Sequence, residues 1–155
     1  MGYIVPAHPY SALEATPEER AEVYEERWQR GGLGFTAAYT DLLTKREANE
    51  TAAEFLRQKI REIVHDPEIA ETLSPRTFPI GTKRVCVDTG YYATFNLPHV
   101  RLVDLLRDPI LEVSPHSVRT ANEEFPIECL VFATGFDAMT GALNRIEIRG
   151  RMGQS

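Results

Sequence analysis

The chain has little of several features that mark particular classes of protein. Its 155 residues contain only two cysteines, Cys86 and Cys129, which are too few for a disulfide framework. No run of about 18 apolar residues occurs, so the sequence does not predict a transmembrane helix. The 23 acidic residues outnumber the 17 basic ones, and a net charge of −6 is not typical of nucleic-acid binders. The first residues, MGYIVPAHPYS, also lack the basic and apolar regions of a signal peptide. We therefore expect a cytoplasmic protein with no membrane or nucleic-acid partner.

Several catalytic and ligand-binding motifs are also missing. The four histidines do not stand at metal-ligand spacing from one another or from the cysteines, so no metal site is predicted. The sequence has no G-x-S-x-G motif, which argues against a serine hydrolase. It also has no G-x-G-x-x-G motif, so it does not carry the usual pyrophosphate-binding turn. The run GGLG at 31–34 follows a predicted helix rather than a strand, which favours a helix stop over a phosphate loop.

Charge and periodicity divide the chain into two different halves. Residues 1–74 contain 14 acidic and 8 basic side chains, whereas residues 75–155 contain nine of each. The first half has helical periodicity and the second has short apolar or β-branched runs. We place the boundary in the proline-containing stretch SPRTFPI at 74–80.

The first half carries clear helix boundaries. Thr16, Pro17 and Glu19 form the pattern of a capping box with proline at the first helical position, and a glycine pair at 31–32 ends the helix. Its predicted apolar stripe is Ala21, Tyr24 and Trp28. A longer helix is predicted over 44–64, and Asp66 is the predicted cap of a short helix that ends near residue 73. In the long helix, the predicted apolar face comprises Ala48, Ala52, Phe55, Leu56, Ile60 and Ile63. The charged residues predicted to lie away from that face are Lys45, Glu50, Glu54, Arg57 and Arg61.

The short apolar runs of the second half predict strands. Together with the helices of the first half, they predict an α/β fold. The run IECLVFA at 127–133 is nearly all apolar, which indicates a strand covered on both faces. Ligands bind beyond the carboxyl ends of such strands, and the small residues Thr134 and Gly135 that follow would permit close approach of a cofactor. Few helices remain to cover this sheet, so we expect an incomplete domain. The other predicted strands are 84–87, 100–103, 109–113, 117–120 and 145–149.

Two further segments are candidates for chemistry. The basic pair Lys83–Arg84 opens the first predicted strand, where it could bind a phosphate or stabilise a developing oxyanion, or could simply be solvated. The run DTGYYATFN at 88–96 is rich in aromatic residues, which could line a ligand pocket or form a minor core under a loop.

These segments together resemble the Baeyer–Villiger flavin monooxygenases, the family of cyclohexanone and phenylacetone monooxygenases. The pattern KR-x3-D-x-G-YY-x2-FN at 83–96 and the run ATGFDA at 133–138 carry the resemblance, which extends from about residue 5 to residue 150. The resemblance implies an enzyme that uses FAD and NADPH to insert an oxygen atom next to a ketone carbonyl, or to oxidise a sulfide. It implies a helical subdomain plus part of a Rossmann-like FAD/NAD(P)-binding domain.

The resemblance also implies roles for single residues. Arg84 corresponds to the catalytic arginine, which stabilises negative charge during oxygen transfer. Lys83 corresponds to a lysine that contacts the 2′-phosphate of NADP, and Thr134 and Gly135 match the segment where the chain returns from the NADP domain to the FAD domain. On this basis residues 1–74 form a helical subdomain inserted in the NADP domain, residues 75–133 its later strands, and residues 134–155 the return segment.

Three hypotheses follow from the sequence. The first is an internal fragment of a Baeyer–Villiger monooxygenase, inactive alone, for which the missing segments of the enzyme could be a partner in trans. The second is a non-catalytic remnant or interaction subunit. The third is a fragment of another flavin monooxygenase, which oxygenates nitrogen or sulfur.

Overall fold

The computed structural model describes residues 8–83, 85–86, 89–135, 141 and 145. The chain divides into two compact units, Met1–Asp104 and Leu105–Ser155, so the observed division lies C-terminal to the change in composition at 74–80. No helix within the described part of the chain combines the length and the hydropathy of a membrane span.

The first unit is helical. Helix α1 spans Pro17–Arg30 and a 3-10 helix spans Gly32–Ala37. Helix α2 spans Arg46–Ile63, and the short helices α3 and α4 span Pro67–Leu73 and Tyr91–Thr94. All three predicted helices therefore occur, with boundaries within two residues of those expected.

The predicted helix caps are also confirmed. The Thr16 hydroxyl accepts a hydrogen bond from the Glu19 backbone N–H, and the Glu19 carboxylate accepts one from the Thr16 N–H. These two bonds satisfy backbone donors that a helix start leaves unpaired. At α3 the Asp66 carboxylate accepts from the next two free N–H groups, those of Glu68 and Ile69.

A core of aromatic and small residues holds α1, the 3-10 helix and α2 together. The Tyr24 ring lies 5.7 Å from that of Tyr39 in an edge-to-face arrangement, and the Phe35 and Phe55 rings stack at 5.8 Å. The Tyr24 hydroxyl forms a 2.7 Å hydrogen bond with Thr51 Oγ1, so this buried phenol is not left unpaired. The buried members of this core are Ala12, Tyr24, Phe35, Ala38, Tyr39, Leu42, Ala48 and Ala52.

Two predictions about helix faces are wrong. Ala21 is exposed, and the buried positions of α1 are instead Tyr24 and Arg27. Arg57, predicted to lie away from the apolar face of α2, is buried. A guanidinium can occupy such a position because its long stem packs against apolar neighbours while its donors reach acceptors at the edge of the core.

Asp41 connects the start of the unit to the segment before α2. Its carboxylate accepts hydrogen bonds from Ser11 Oγ and from the Ala12 N–H (2.9 Å), and Lys45 Nζ lies 3.6 Å away. Burial raises the pKa of the Asp41 carboxyl, but these donors and the lysine charge outweigh burial, so its pKa lies below the ordinary value.

The second unit contains a small antiparallel sheet with strand order β1–β2–β3. Strand β1 spans Ile110–Val113, β2 spans Ser117–Thr120 and β3 spans Glu124–Pro126. Val113 pairs with Val118 across the first ladder, and Ser117 pairs with Pro126 across the second. The predicted strands at 109–113 and 117–120 are thus confirmed.

The strand predicted at 127–133 is not formed. Ile127 donates its N–H to His116 O at 2.8 Å, but the segment 127–133 has no regular structure, and the Val131 and Phe132 side chains are each 78% exposed. A strand requires a hydrogen-bonded neighbour, and the described residues provide none beyond Ile127. Residues 100–103 are likewise irregular, as are 85–86 of the strand predicted at 84–87. The strand predicted at 145–149 lies outside the described residues except for Arg145, which is in a turn.

Candidate functional site

Lys83 follows a turn that the helical unit holds in place. The Thr82 N–H and hydroxyl both donate to Pro79 O, at 3.3 and 2.7 Å, which closes a turn over residues 79–82. Gly81 has φ +90°, a conformation that side chains strongly disfavour. A Cβ at Gly81 would also lie 2.4 Å from Leu43 Cδ2, so the turn packs closely against the unit.

Two side chains of α2 bind the backbone of the segment that leads to Lys83. Arg57 Nε donates to Pro75 O at 3.1 Å, at the start of the segment. Asn49 donates to Ile80 O at 2.9 Å and accepts from the Ile80 N–H at 3.0 Å, near its end. Because α2 is the longest helix of the unit, these bonds connect the segment to a rigid support.

The Lys83 side chain is exposed and free to bind an anion. Its ammonium lies over the Phe78 ring, 5.0 Å from the centroid, in a cation–π contact. No carboxylate among the described residues forms a salt bridge with it. A contact with an exposed ring is weaker than a charge-assisted bond to a phosphate, so the ammonium could exchange one for the other.

Arg84, the predicted catalytic residue, lies outside the described residues, although Lys83 and Val85 on either side are described. Thr134 and Gly135 are described and exposed. Gly135 has φ +86°, and a Cβ added there would meet no atom within 4 Å. Lys83 belongs to the first compact unit, and Thr134 and Gly135 belong to the second.

The aromatic loop forms a minor core. Tyr92 and Phe95 pack against Ile60, Val64 and Ala70, whereas Tyr91 stays 58% exposed and stacks edge-to-face on Phe95 at 5.2 Å. The sequence allowed either a ligand pocket or a minor core at this loop, and Tyr92 and Phe95 form a minor core.

Asn96 attaches the aromatic loop to the end of α2. Its Oδ1 accepts from the His65 N–H at 2.9 Å, and its Nδ2 donates to Ile63 O at 2.7 Å. Asn96 therefore satisfies one of the carbonyl groups that the end of α2 leaves free, that of Ile63, and also binds the backbone just beyond the helix. Sequence reasoning assigned no role to this side chain, since its partners lie more than thirty residues upstream.

A cleft of about 360 Å³ lies on the first unit, and Lys83 is not among the residues that line it. The hydroxyl of Tyr39 and Nδ1 of His8 are buried there without a hydrogen-bond partner among the described residues. The cleft is lined by His8, Tyr10, Glu14, Ala15, Glu19, Glu22, Val23 and Tyr39. Nowhere in the described ranges do three His, Cys, Asp or Glu side chains come together as a possible metal site.

The residues present fit contact with a dinucleotide but do not enclose one. An exposed ammonium without a carboxylate partner can bind a phosphate, and the open backbone at Thr134–Gly135 permits close approach. The glycine-rich turn that places free N–H groups around a pyrophosphate is absent from the sequence. Lys83 in the first unit, and Thr134 and Gly135 in the second, are thus separate candidate contacts to a cofactor.

Comparison with curated proteins shows that this chain is similar to part of several monooxygenases. It is 41% identical over 146 residues to a Baeyer–Villiger monooxygenase of Pseudooceanicola batsensis, covering 92% of this chain and 26% of that protein. It is also 41% identical over 148 residues to a phenazine N-monooxygenase of Lysobacter antibioticus, covering 94% and 27%. The chain thus spans about a quarter of the length of these relatives. No family model matches the chain.

Solved structures support the same relationship. An oxidised steroid monooxygenase bound to NADP matches with a TM-score of 0.89 and 47% identity, over 97% of this chain and 29% of that one. The enzyme OTEMO, in complex with FAD and NADP, matches with a TM-score of 0.90 and 39% identity, over 96% and 28%. The described helices and the small sheet are therefore part of a fold found in FAD- and NADP-binding enzymes. Over more than nine-tenths of its length, the chain is homologous to a segment of the Baeyer–Villiger flavin monooxygenases.

Proposed function

We propose that this chain supplies the Lys83–Arg84 segment of an FAD- and NADPH-dependent Baeyer–Villiger monooxygenase. The reaction inserts an oxygen atom next to a ketone carbonyl and gives an ester or a lactone. The observation that carries the proposal is the 47% identity to a steroid monooxygenase across 97% of this chain, a range that includes the KR motif at 83–84.

In this proposal the two basic residues have different tasks. Arg84 is the catalytic residue, because a guanidinium stays charged at any working pH and can stabilise negative charge that develops during oxygen transfer. Lys83 binds the 2′-phosphate of NADPH through its exposed ammonium. Thr134 and Gly135 contact the cofactor region through their backbone, where the chain returns from the NADP domain to the FAD domain.

We also propose how the chain is divided among the domains of the enzyme. Residues 1–74 form the helical subdomain inserted in the NADP domain, residues 75–133 belong to the NADP domain, and residues 134–155 lead toward the FAD domain.

The isolated chain has no turnover, since the sequence lacks the glycine-rich turns that hold both cofactors. After incubation with FAD and desalting, the purified chain should be colourless. A retained flavin spectrum, or ketone oxidation with NADPH by the chain alone, would contradict this part of the proposal.

A hybrid enzyme tests the catalytic proposal. In the hybrid, this chain replaces the homologous segment of the steroid monooxygenase, and FAD content and NADPH-dependent ester formation are measured. We expect the hybrid to retain FAD and to oxygenate its ketone substrate. Arg84→Ala should abolish product formation, whereas Lys83→Ala should raise KM for NADPH and leave KM for NADH, which has no 2′-phosphate, nearly unchanged. Near-normal product formation by Arg84→Ala would remove Arg84 from its role.

Nitrogen oxygenation is a second candidate, supported by the 41% identity to the phenazine N-monooxygenase. The discriminating experiment places this chain in both hosts, the steroid monooxygenase and the phenazine N-monooxygenase. If this chain belongs to a ketone-oxygenating enzyme, the steroid monooxygenase hybrid should retain FAD and turn over. Turnover in the second host alone would favour N-oxygenation.

Many apolar side chains of the second unit are exposed, and this set, called here the apolar surface, supports association with a larger protein. Strand β1 is exposed along its whole length and lies at the edge of the sheet, and Leu106 is 95% exposed. Such surfaces mark interfaces. We propose that the remaining segments of the enzyme, in cis or in trans, cover it. The exposed apolar residues are Leu105, Leu106, Ile110, Leu111, Val113, Leu130, Val131 and Phe132.

Light scattering of the purified chain tests this surface. The chain should self-associate, and Phe132→Asp or Leu106→Asp should reduce its association. Leu13→Asp is the matched control, because Leu13 is 46% exposed but belongs to the first unit. If all three substitutions affected association equally, the surface would have no special role.

A further inference from the structure

Asn49 makes three hydrogen bonds to backbone groups from inside the core. Its Nδ2 donates to Leu42 O at 2.7 Å and to Ile80 O at 2.9 Å, and its Oδ1 accepts from the Ile80 N–H at 3.0 Å. The residue is only 5% exposed. Burial of an amide without partners is unfavourable, so this arrangement holds only while residue 80 stays in place.

The bond to Ile80 has a geometric consequence for the residues that follow. The Asn49 side chain binds both the N–H and the C=O of Ile80, as a neighbouring strand would. The two bonds fix both the position and the orientation of the Ile80 backbone. Gly81 then turns the chain with φ +90° against Leu43. Lys83 comes three residues after the bonded position, and Arg84 follows it.

We propose that Asn49 is a positioning residue for the Lys83–Arg84 segment, an inference that rests on the proposed function. An apolar side chain would suffice to pack α2, because the neighbouring core positions Ala48 and Ala52 are apolar. The amide adds a fixed register for the segment 80–83, which ends immediately before Arg84. A displacement of about 1 Å can reduce turnover on the order of a hundredfold, so this register bears directly on the reaction.

The chain offers a matched control. Asn96 also binds backbone groups through both ends of its amide, at Ile63 O and the His65 N–H, and it belongs to the same unit. Its contacts hold the aromatic loop rather than the segment 80–83. Asn49→Ala and Asn96→Ala should therefore both lower Tm, but only Asn49→Ala should affect the basic pair.

The first measurement is hydrogen exchange in the 155-residue chain, followed in peptides that cover residues 79–86. We expect exchange in these peptides to become about tenfold faster in Asn49→Ala, because loss of one ordinary hydrogen bond corresponds to about that factor. In Asn96→Ala, exchange in the same peptides should be unchanged. Asn49→Asp serves as a second variant if the alanine variant does not fold, because it keeps the size and the acceptor for the Ile80 N–H. Unchanged exchange in this segment would overturn the proposal.

The second measurement uses the hybrid enzyme. Asn49→Ala should lower kcat at least about tenfold and raise KM for NADPH, whereas Asn96→Ala should leave both within about twofold. A hybrid in which Asn49→Ala lowers Tm but leaves kcat and KM unchanged would overturn the positioning role. If the unsubstituted hybrid does not turn over, the proposed function fails, and the exchange measurement still decides whether Asn49 holds the segment.

Discussion

Substitution of Arg57 by methionine removes a buried link between α2 and the segment that follows α3. Arg57 is 6% exposed. Its Nε donates to Pro75 O at 3.1 Å, and its NH1 donates to Glu50 at 2.7 Å and to Glu54 at 2.9 Å. Methionine keeps much of the apolar stem, so the substitution mainly removes the polar contacts.

The loss of stability follows from these three contacts. The bond to the Pro75 carbonyl contributes about 1 kcal/mol, as expected for an ordinary hydrogen bond. The two carboxylate partners are more than half exposed, so each ion pair contributes only about 0.2–1 kcal/mol. We expect Arg57→Met to reduce the free energy of unfolding by about 1.5–3 kcal/mol. At roughly 4–8 °C per kcal/mol for a unit of this size, Tm should fall by at least about 6 °C.

Urea unfolding followed by circular dichroism at the helix band measures this effect. Arg61→Met is the control, because Arg61 lies one turn further along α2 and also binds Glu54. Its side chain is 38% exposed, so water can replace its partners and we expect a clearly smaller change. Equal shifts of the two denaturation midpoints would refute the argument that burial makes Arg57 important.

Three further predictions concern the first unit. Asp41→Asn should lower the free energy of unfolding of this unit above about pH 4. The difference in unfolding free energy from the unsubstituted chain should shrink as pH falls through the lowered pKa of Asp41. Unfolding curves recorded at several pH values measure this difference. Gly81→Ala and Gly90→Ala both place a side chain at φ +90°, at a cost of about 1–2 kcal/mol. Gly81→Ala should cost more, because Leu43 must also move. Thr16→Ala should cost about 1 kcal/mol through loss of the cap, and an unchanged Tm would contradict that role.

The helices could be predicted from sequence because their signals are local. Thr16 and Glu19 are three residues apart, and Asp66 caps the groups immediately after it. The apolar repeat of α2 likewise needs only the spacing along one helix. The exposed position of Ala21 could not be predicted, because which side of α1 faces the core depends on where the rest of the unit packs.

The site was predictable only as a set of residues. Motif resemblance identified Lys83, Arg84, Thr134 and Gly135, and the comparisons confirm the family that the motifs indicated. The roles of these four residues remain predictions. The importance of Asn49 could not be found in the local sequence, because its partner Ile80 is 31 residues away.

The amino-acid sequence by itself determined the helices, their caps and the family resemblance, since these depend on short spacings and on motif residues. Only the tertiary structure decided which polar side chains are buried and which apolar ones are exposed. Arg57 is buried because the Pro75 carbonyl, 18 residues away, provides an acceptor. The run 127–133 looks like a buried strand, yet it is irregular and exposed because strand pairing and burial require a neighbour that the described part of this chain does not supply.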